Sequence, residues 1–121
     1  MFEVVFYKDR QGNEPIRDYI YALHQRGKTN KRERTLANKI IAYIKALQEY
    51  GTRIGVPAVK HIDGNIWELR PLDNRIFFFY WKDDTFVLLH YFVKKTQKTP
   101  SREIDKARSN LADFLERVEQ E

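Results

Sequence analysis

Apolar residues recur along this chain in two different periods, and the switches between them outline the fold. Residues 2 to 7, FEVVFY, form a short apolar run closed by Lys8-Asp9-Arg10 and the turn formers Gly12 and Asn13, which predicts a first strand. Asn13 is a suitable cap for a helix whose first turn holds Glu14 and Pro15. Ile16, Tyr19, Ile20 and Leu23 then recur at i, i+3, i+4 and i+7, one stripe of an amphipathic helix that stops near Gly27. The Thr29-Asn30 region restarts the chain as a second helix, with Leu36, Ile40, Tyr43, Ile44 and Leu47 on its buried side and Gly51 at its end. Beyond a Gly-rich loop, PAVKHI reads as a strand folded back by Asp63-Gly64 onto NIWELR. Aromatic and β-branched residues interrupted by Asp73-Asn74 and Asp83-Asp84 continue as an antiparallel meander, with strands at roughly 65 to 71, 75 to 82 and 85 to 93. Thr99-Pro100 fits a cap and first position of a last helix, with Ile104, Ala107, Leu111, Leu115 and Val118 as its stripe. The predicted order is β-α-α-β-β-β-β-α, an α+β domain with a twisted, mostly antiparallel sheet and helices against its apolar face.

Turn lengths decide which side chains share a face, because opposed residues on antiparallel neighbours point the same way and successive residues alternate. A two-residue Asp73-Asn74 loop sets Leu72 opposite Arg75, and a four-residue loop sets Arg70 opposite Arg75; either way the two arginines share a face. A two-residue loop at Asp83-Asp84 sets Phe77 opposite His90 and Arg75 opposite Phe92. One face then carries Glu68, Arg70, Arg75, Phe77, His90, Phe92 and Lys94. The other carries Trp67, Leu69, Ile76, Phe78, Tyr80, Val87, Leu89, Tyr91 and Val93, and is expected to be the core side. The mixed face admits two readings. It is a solvated surface whose long side chains lie over exposed rings, or a platform on which arginine forks hold phosphate and rings stack on bases. Convergence of Arg70 and Arg75 with the Lys94-Lys95 end favours the platform.

A chain of 121 residues is one domain, 1 to 121, large enough for a core. It has no cysteine, which excludes disulfides, thiolate nucleophiles and cysteine-held metals. The histidines, at 24, 61 and 90, are not at metal-ligand spacing, so neither metal nor cofactor is expected. No apolar run approaches the ~20 residues of a membrane span, and MFEVVFYKD lacks a signal-peptide layout; a cytoplasmic protein is expected. Net charge is +5, which favours polyanionic partners. It is concentrated in HQRGKTNKRER (24 to 34), with five cations against one acid, and HYFVKKTQKTP (90 to 100), with three against none. Lys31, Arg32 and Arg34 stand in the first turns of a helix, where cations are unfavourable. They are either a solvated basic helix start or an RNA-binding patch.

The run WELRPLDNRIFFFYW followed by VLLHYFVKKTQKTPSREIDKA resembles the HigB-like branch of the RelE/ParE toxin superfamily, phage-derived and bacterial toxins of type II toxin-antitoxin modules. The resemblance spans most of the chain. It implies a RelE-like, microbial-RNase-like fold and an endoribonuclease that cuts mRNA on the translating ribosome without a metal, the ribose 2′-hydroxyl attacking the adjacent phosphate. By position Arg70 and Arg75 match basic residues of the active face, and Lys94, Lys95 and Lys98 match the basic run after the last strand; Arg70, Arg75, Lys95, His90 and Glu68 are the expected catalytic set. The general base and acid stay open between His90 and Glu68, since relatives also manage with lysine and arginine alone. Lys94, Lys98, Phe92, Lys31 and Arg32 are expected to bind RNA. A small helix-turn-helix, HigA-like antitoxin is the implied partner, beside mRNA and the ribosome. Two other readings are a ParE-like gyrase inhibitor, which shares the scaffold without the cationic face, and a nonenzymatic RNA-binding module.

Overall fold

A computed structural model describes residues 1 to 119. The elements follow the expected order: β1 (Glu3–Phe6), α1 (Pro15–Arg26), α2 (Lys31–Tyr50), β2 (Val59–Asp63), β3 (Ile66–Leu69), β4 (Asn74–Tyr80), β5 (Thr85–Val93) and α3 (Ser101–Glu119), with a short 3-10 turn at Gly51–Ile54. They form one five-stranded sheet, β1-β5-β4-β3-β2, antiparallel except for β1, which pairs parallel with β5. Asn30 caps α2 by accepting from the Glu33 amide. Asn13 does not cap α1; Glu14 stands at that position without a side-chain bond, and the Asn13 backbone closes a turn with Asp9 instead. None of the described helices is long and apolar enough to cross a membrane.

Both faces of the sheet are covered, which corrects the expectation of helices on one face only. Helices α1 and α2 bury Ile16, Leu23, Ile40, Ile44 and Leu47 against Leu69, Ile76, Phe78, Phe86 and Leu88. Helix α3 lies on the opposite face, where Ile104 and Ala107 cover Phe77 and Phe92, and Phe114 and Leu115 cover Phe79, Val87 and Leu89. The run Phe77-Phe78-Phe79 has no polar member because each of its alternating rings meets a helix.

The register of β4 on β5 matches the expected pairing at one end and departs from it at the other. Phe77 pairs with His90 and Arg75 with Phe92, as expected, but Tyr80 pairs with Phe86. The Thr85 amide bonds to Lys82 O, closing the anticipated turn, while the Trp81 amide also bonds to Thr85 O, so that Lys82 is one residue in excess beside the turn. A bulge at Leu89 adds one residue on β5 and restores the register. Between these two irregularities parity is reversed, so Val87 and Leu89 lie on the α3 face and Phe86 and Leu88 on the other. At the next turn the β3 and β4 pairing, Leu69 with Ile76, extends to set Arg70 opposite Arg75, the four-residue alternative.

Candidate active site

Glu68, the last inward acid before the turn, is only 1% exposed. It is flanked in the sheet by Lys60 of β2 and Phe77 of β4. Its Oε1 lies 3.4 Å from Arg70 Nε and 3.9 Å from Arg75 Nε. Glu68 Oε2 and both arginine Nε atoms are inaccessible to solvent and lack hydrogen-bond partners. Buried donors and acceptors are ordinarily paired, so this trio holds unmet capacity. Burial pushes the Glu68 carboxyl above its ordinary range, opposed by Arg75, Arg70, Lys94 and Lys60. Burial likewise lowers the Arg75 guanidinium, with Glu68 pulling the other way.

Arg75 is aimed by the chain around it. Its Nη1 donates to Leu72 O at 2.7 Å and to Asn74 O at 2.8 Å, both carbonyls of the β3–β4 turn. The same turn accepts the Lys94 amide on Asp73 O at 2.8 Å. One loop therefore seats Arg75 and the start of the lysine run together. Beside the trio opens a groove of about 430 Å³ lined by Lys60, Lys94, Gln97, Lys98, Thr99 and Ile104. Lys95 is exposed next to it. The arrangement suits a phosphodiester: the remaining guanidinium N–H groups of Arg70 and Arg75 for one phosphate and lysines for its neighbours.

The remaining expected residues are placed elsewhere. His90 Nε2 donates to Glu103 of α3 at 2.8 Å, and Phe77 stands between it and Glu68 in the sheet. Phe92, expected to stack on bases, is 8% exposed and packs with Phe77 and Ala107 under α3, so its ring does not reach a ligand. Lys31 and Arg32 lie at the α2 start, on the other side of the sheet; Arg32 borders a separate cleft of about 340 Å³ with Tyr19, Arg26, Leu72 and Asp73. Lys60 and Glu103 were absent from the expected set. Lys60 was hidden by a bulge: the turn falls at Gly64-Asn65 rather than Asp63-Gly64 and pairs Asp63 with Ile66, which by direct pairing would set Lys60 opposite Leu69, whereas the irregularity between His61 and Asp63 turns it to Glu68.

No curated protein matches the chain. The family described as Phage derived protein Gp49-like (DUF891) matches residues 28–112, from just before α2 into α3.

Proposed function

Because the chain belongs to the Gp49-like family of phage-derived proteins, part of the RelE/HigB-like toxin superfamily and associated with toxin-antitoxin toxins, we propose that it is the HigB-like toxin of a type II module, acting as a ribosome-dependent mRNA endoribonuclease. The observation that carries this reading is the buried Glu68, Arg70 and Arg75 trio with its unpaired polar atoms, opening beside the lysine groove. The ribose 2′-oxygen forms a bond to phosphorus as the bond to the leaving 5′-oxygen breaks. Negative charge grows on the equatorial oxygens, where Arg70 and Arg75 stabilise it. Glu68, buried against both arginines, orients their guanidiniums rather than reaching the ribose, and the 2′-hydroxyl proton passes to water. Lys60, Lys94 and Lys98 hold the flanking backbone, and Lys95, exposed beside them, supplies the proton taken by the leaving 5′-oxygen. No metal or cofactor enters the step. A helix-turn-helix, HigA-like antitoxin is the partner that keeps the activity in check, and the cytoplasm, where ribosomes work, is its place of action.

The test is purified protein with mRNA, with and without translating ribosomes, mapping cut ends. Cleavage that depends on ribosomes supports the reading. RNA binding without any cleavage marks a nonenzymatic module, and gyrase inhibition without an effect on RNA marks a ParE-like toxin.

A further inference from the structure

Asn74 is a polar residue only 1% exposed, on the α1 face of the sheet, with its back to Arg75. Its Oδ1 accepts from the Tyr19 hydroxyl of α1 at 2.6 Å, and its Nδ2 donates to Asp73 Oδ1 at 3.0 Å. Its amide closes the turn on Pro71 O at 3.0 Å. Tyr19 is itself fixed by a stacked Tyr91 ring at 4.1 Å. Between these anchors the chain passes through Leu72 with φ 56°, a left-handed conformation that a leucine adopts only when its surroundings impose it. The product of this fixed turn is the orientation of two carbonyls, Leu72 O and Asn74 O, both of which hold Arg75 Nη1.

We propose that Tyr19 and Asn74 are positioning residues that aim Arg75 at the phosphate from the opposite face of the sheet. They touch no substrate. With Nη1 fixed by carbonyls and Nε turned to Glu68, Nη2 is the nitrogen that remains for a phosphate oxygen among the described residues. Rotation of the turn by a fraction of a side-chain length would point it away, and misplacement of about 1 Å is enough to slow an oriented reaction ~10²-fold. The inference rests on the proposed nuclease reading only for its catalytic arm.

Tyr19→Phe removes the hydroxyl that Asn74 accepts from and keeps the ring that stacks on Tyr91. The first measurement needs no substrate: the Nε–Hε resonance of Arg75 in the free protein, assigned by its loss in Arg75→Lys. Tyr19→Phe should shift or broaden it and leave that of Arg117, bonded to Asp113 on α3, in place. The second is a double-mutant cycle on single-turnover cleavage. Tyr19→Phe alone should lower the rate about tenfold, the worth of one well-placed hydrogen bond, without changing RNA affinity, and should have no further effect in the Arg75→Lys background. An unmoved Arg75 resonance, or an equal rate loss in both backgrounds, overturns the proposal. If the protein cuts no RNA at all, the nuclease reading fails while the resonance still decides whether Tyr19 positions Arg75.

Discussion

Removing Arg75 should destabilise the protein in a pH-dependent way, because it leaves Glu68 buried with one cation fewer. At an effective dielectric of 20, the 3.9 Å separation from Arg75 corresponds to about 4 kcal/mol of attraction and the 3.4 Å separation from Arg70 to about 5. Arg75→Ala thus withdraws nearly half of the gross attraction that offsets Glu68's desolvation, and exposes two turn carbonyls to re-pairing with water. A net loss of about 3–4 kcal/mol is expected, at the low end of the range for breaking a buried ion pair. The sign of the pH dependence follows from burial. Glu68 has a raised folded-state value, so its contribution is complete below its unfolded value and is lost as pH rises through the folded one. Loss of Arg75 raises that folded value further, and the stability gap between wild type and variant should widen from pH 4 to pH 8. Urea unfolding across that range measures it. Glu68→Gln in the Arg75→Ala background should flatten the dependence and recover part of the stability. A gap that is constant with pH, or a double variant no more stable than Arg75→Ala, would show that Glu68 is not the group left unpaired.

Arg70→Ala and Arg75→Ala should each lose about 10²-fold or more in single-turnover cleavage at saturating protein, as when one oxyanion donor is removed. Lys31→Ala and Arg32→Ala should weaken binding through charge alone, more so at low salt; the opposite pattern would move the active face to the α2 start. Tyr7 donates to Asp113 at 2.5 Å, and burial foremost pushes its phenol from 10.0 up to about 12. Its contribution should be complete below pH 10 and vanish as pH rises through about 12, so Tyr7→Phe should lower the thermal midpoint at neutral pH more than at alkaline pH. The bond to Tyr7 also holds Asp113 below its ordinary value, a contribution lost as pH falls through the folded value; equal midpoint losses at every pH would refute this coupling. Asp83 and Asp84 sit at φ 53° and 57°. Replacing them with Asn-Gly should raise stability by about 1 kcal/mol, or roughly 4 °C in midpoint, and an unchanged midpoint would mean that the turn is unstrained.

The elements were legible because each carried a local signal: stripes at helical spacing, acidic pairs at turns, Asn30 before a helix. The pairing of Arg75 with Phe92 was legible for a subtler reason. The extra residue at Lys82 and the one at Leu89 cancel before the chain reaches the site, so a count that ignored both arrived at the right register there and the wrong one at Val87. Lys60 had no such compensation, and a single bulge moved it to the site unseen. The side on which α3 docks is a long-range choice that its own stripe cannot encode. The clue lay elsewhere, in three consecutive phenylalanines, since a strand with one wet face would not place rings at 77, 78 and 79. The helix that covers Phe77 covers Phe92 as well, which is why its ring packs in the core and is not a stacking platform.

The parallel pairing of Glu3 with Thr85 sets a timetable for the molecule as it is made. Strands β2 to β5 close through short turns, whereas β1 must close a loop of some eighty residues, which costs roughly 4 kcal/mol of chain entropy on the logarithmic scaling. On a ribosome β1 therefore emerges before the other strands and is the last of them to be seated, after the strand it joins has left the exit tunnel. Lys94 and Lys98 emerge later still, and α3 after them. A nascent chain of this protein holds no assembled cationic face until the residues past Lys98 have left the tunnel.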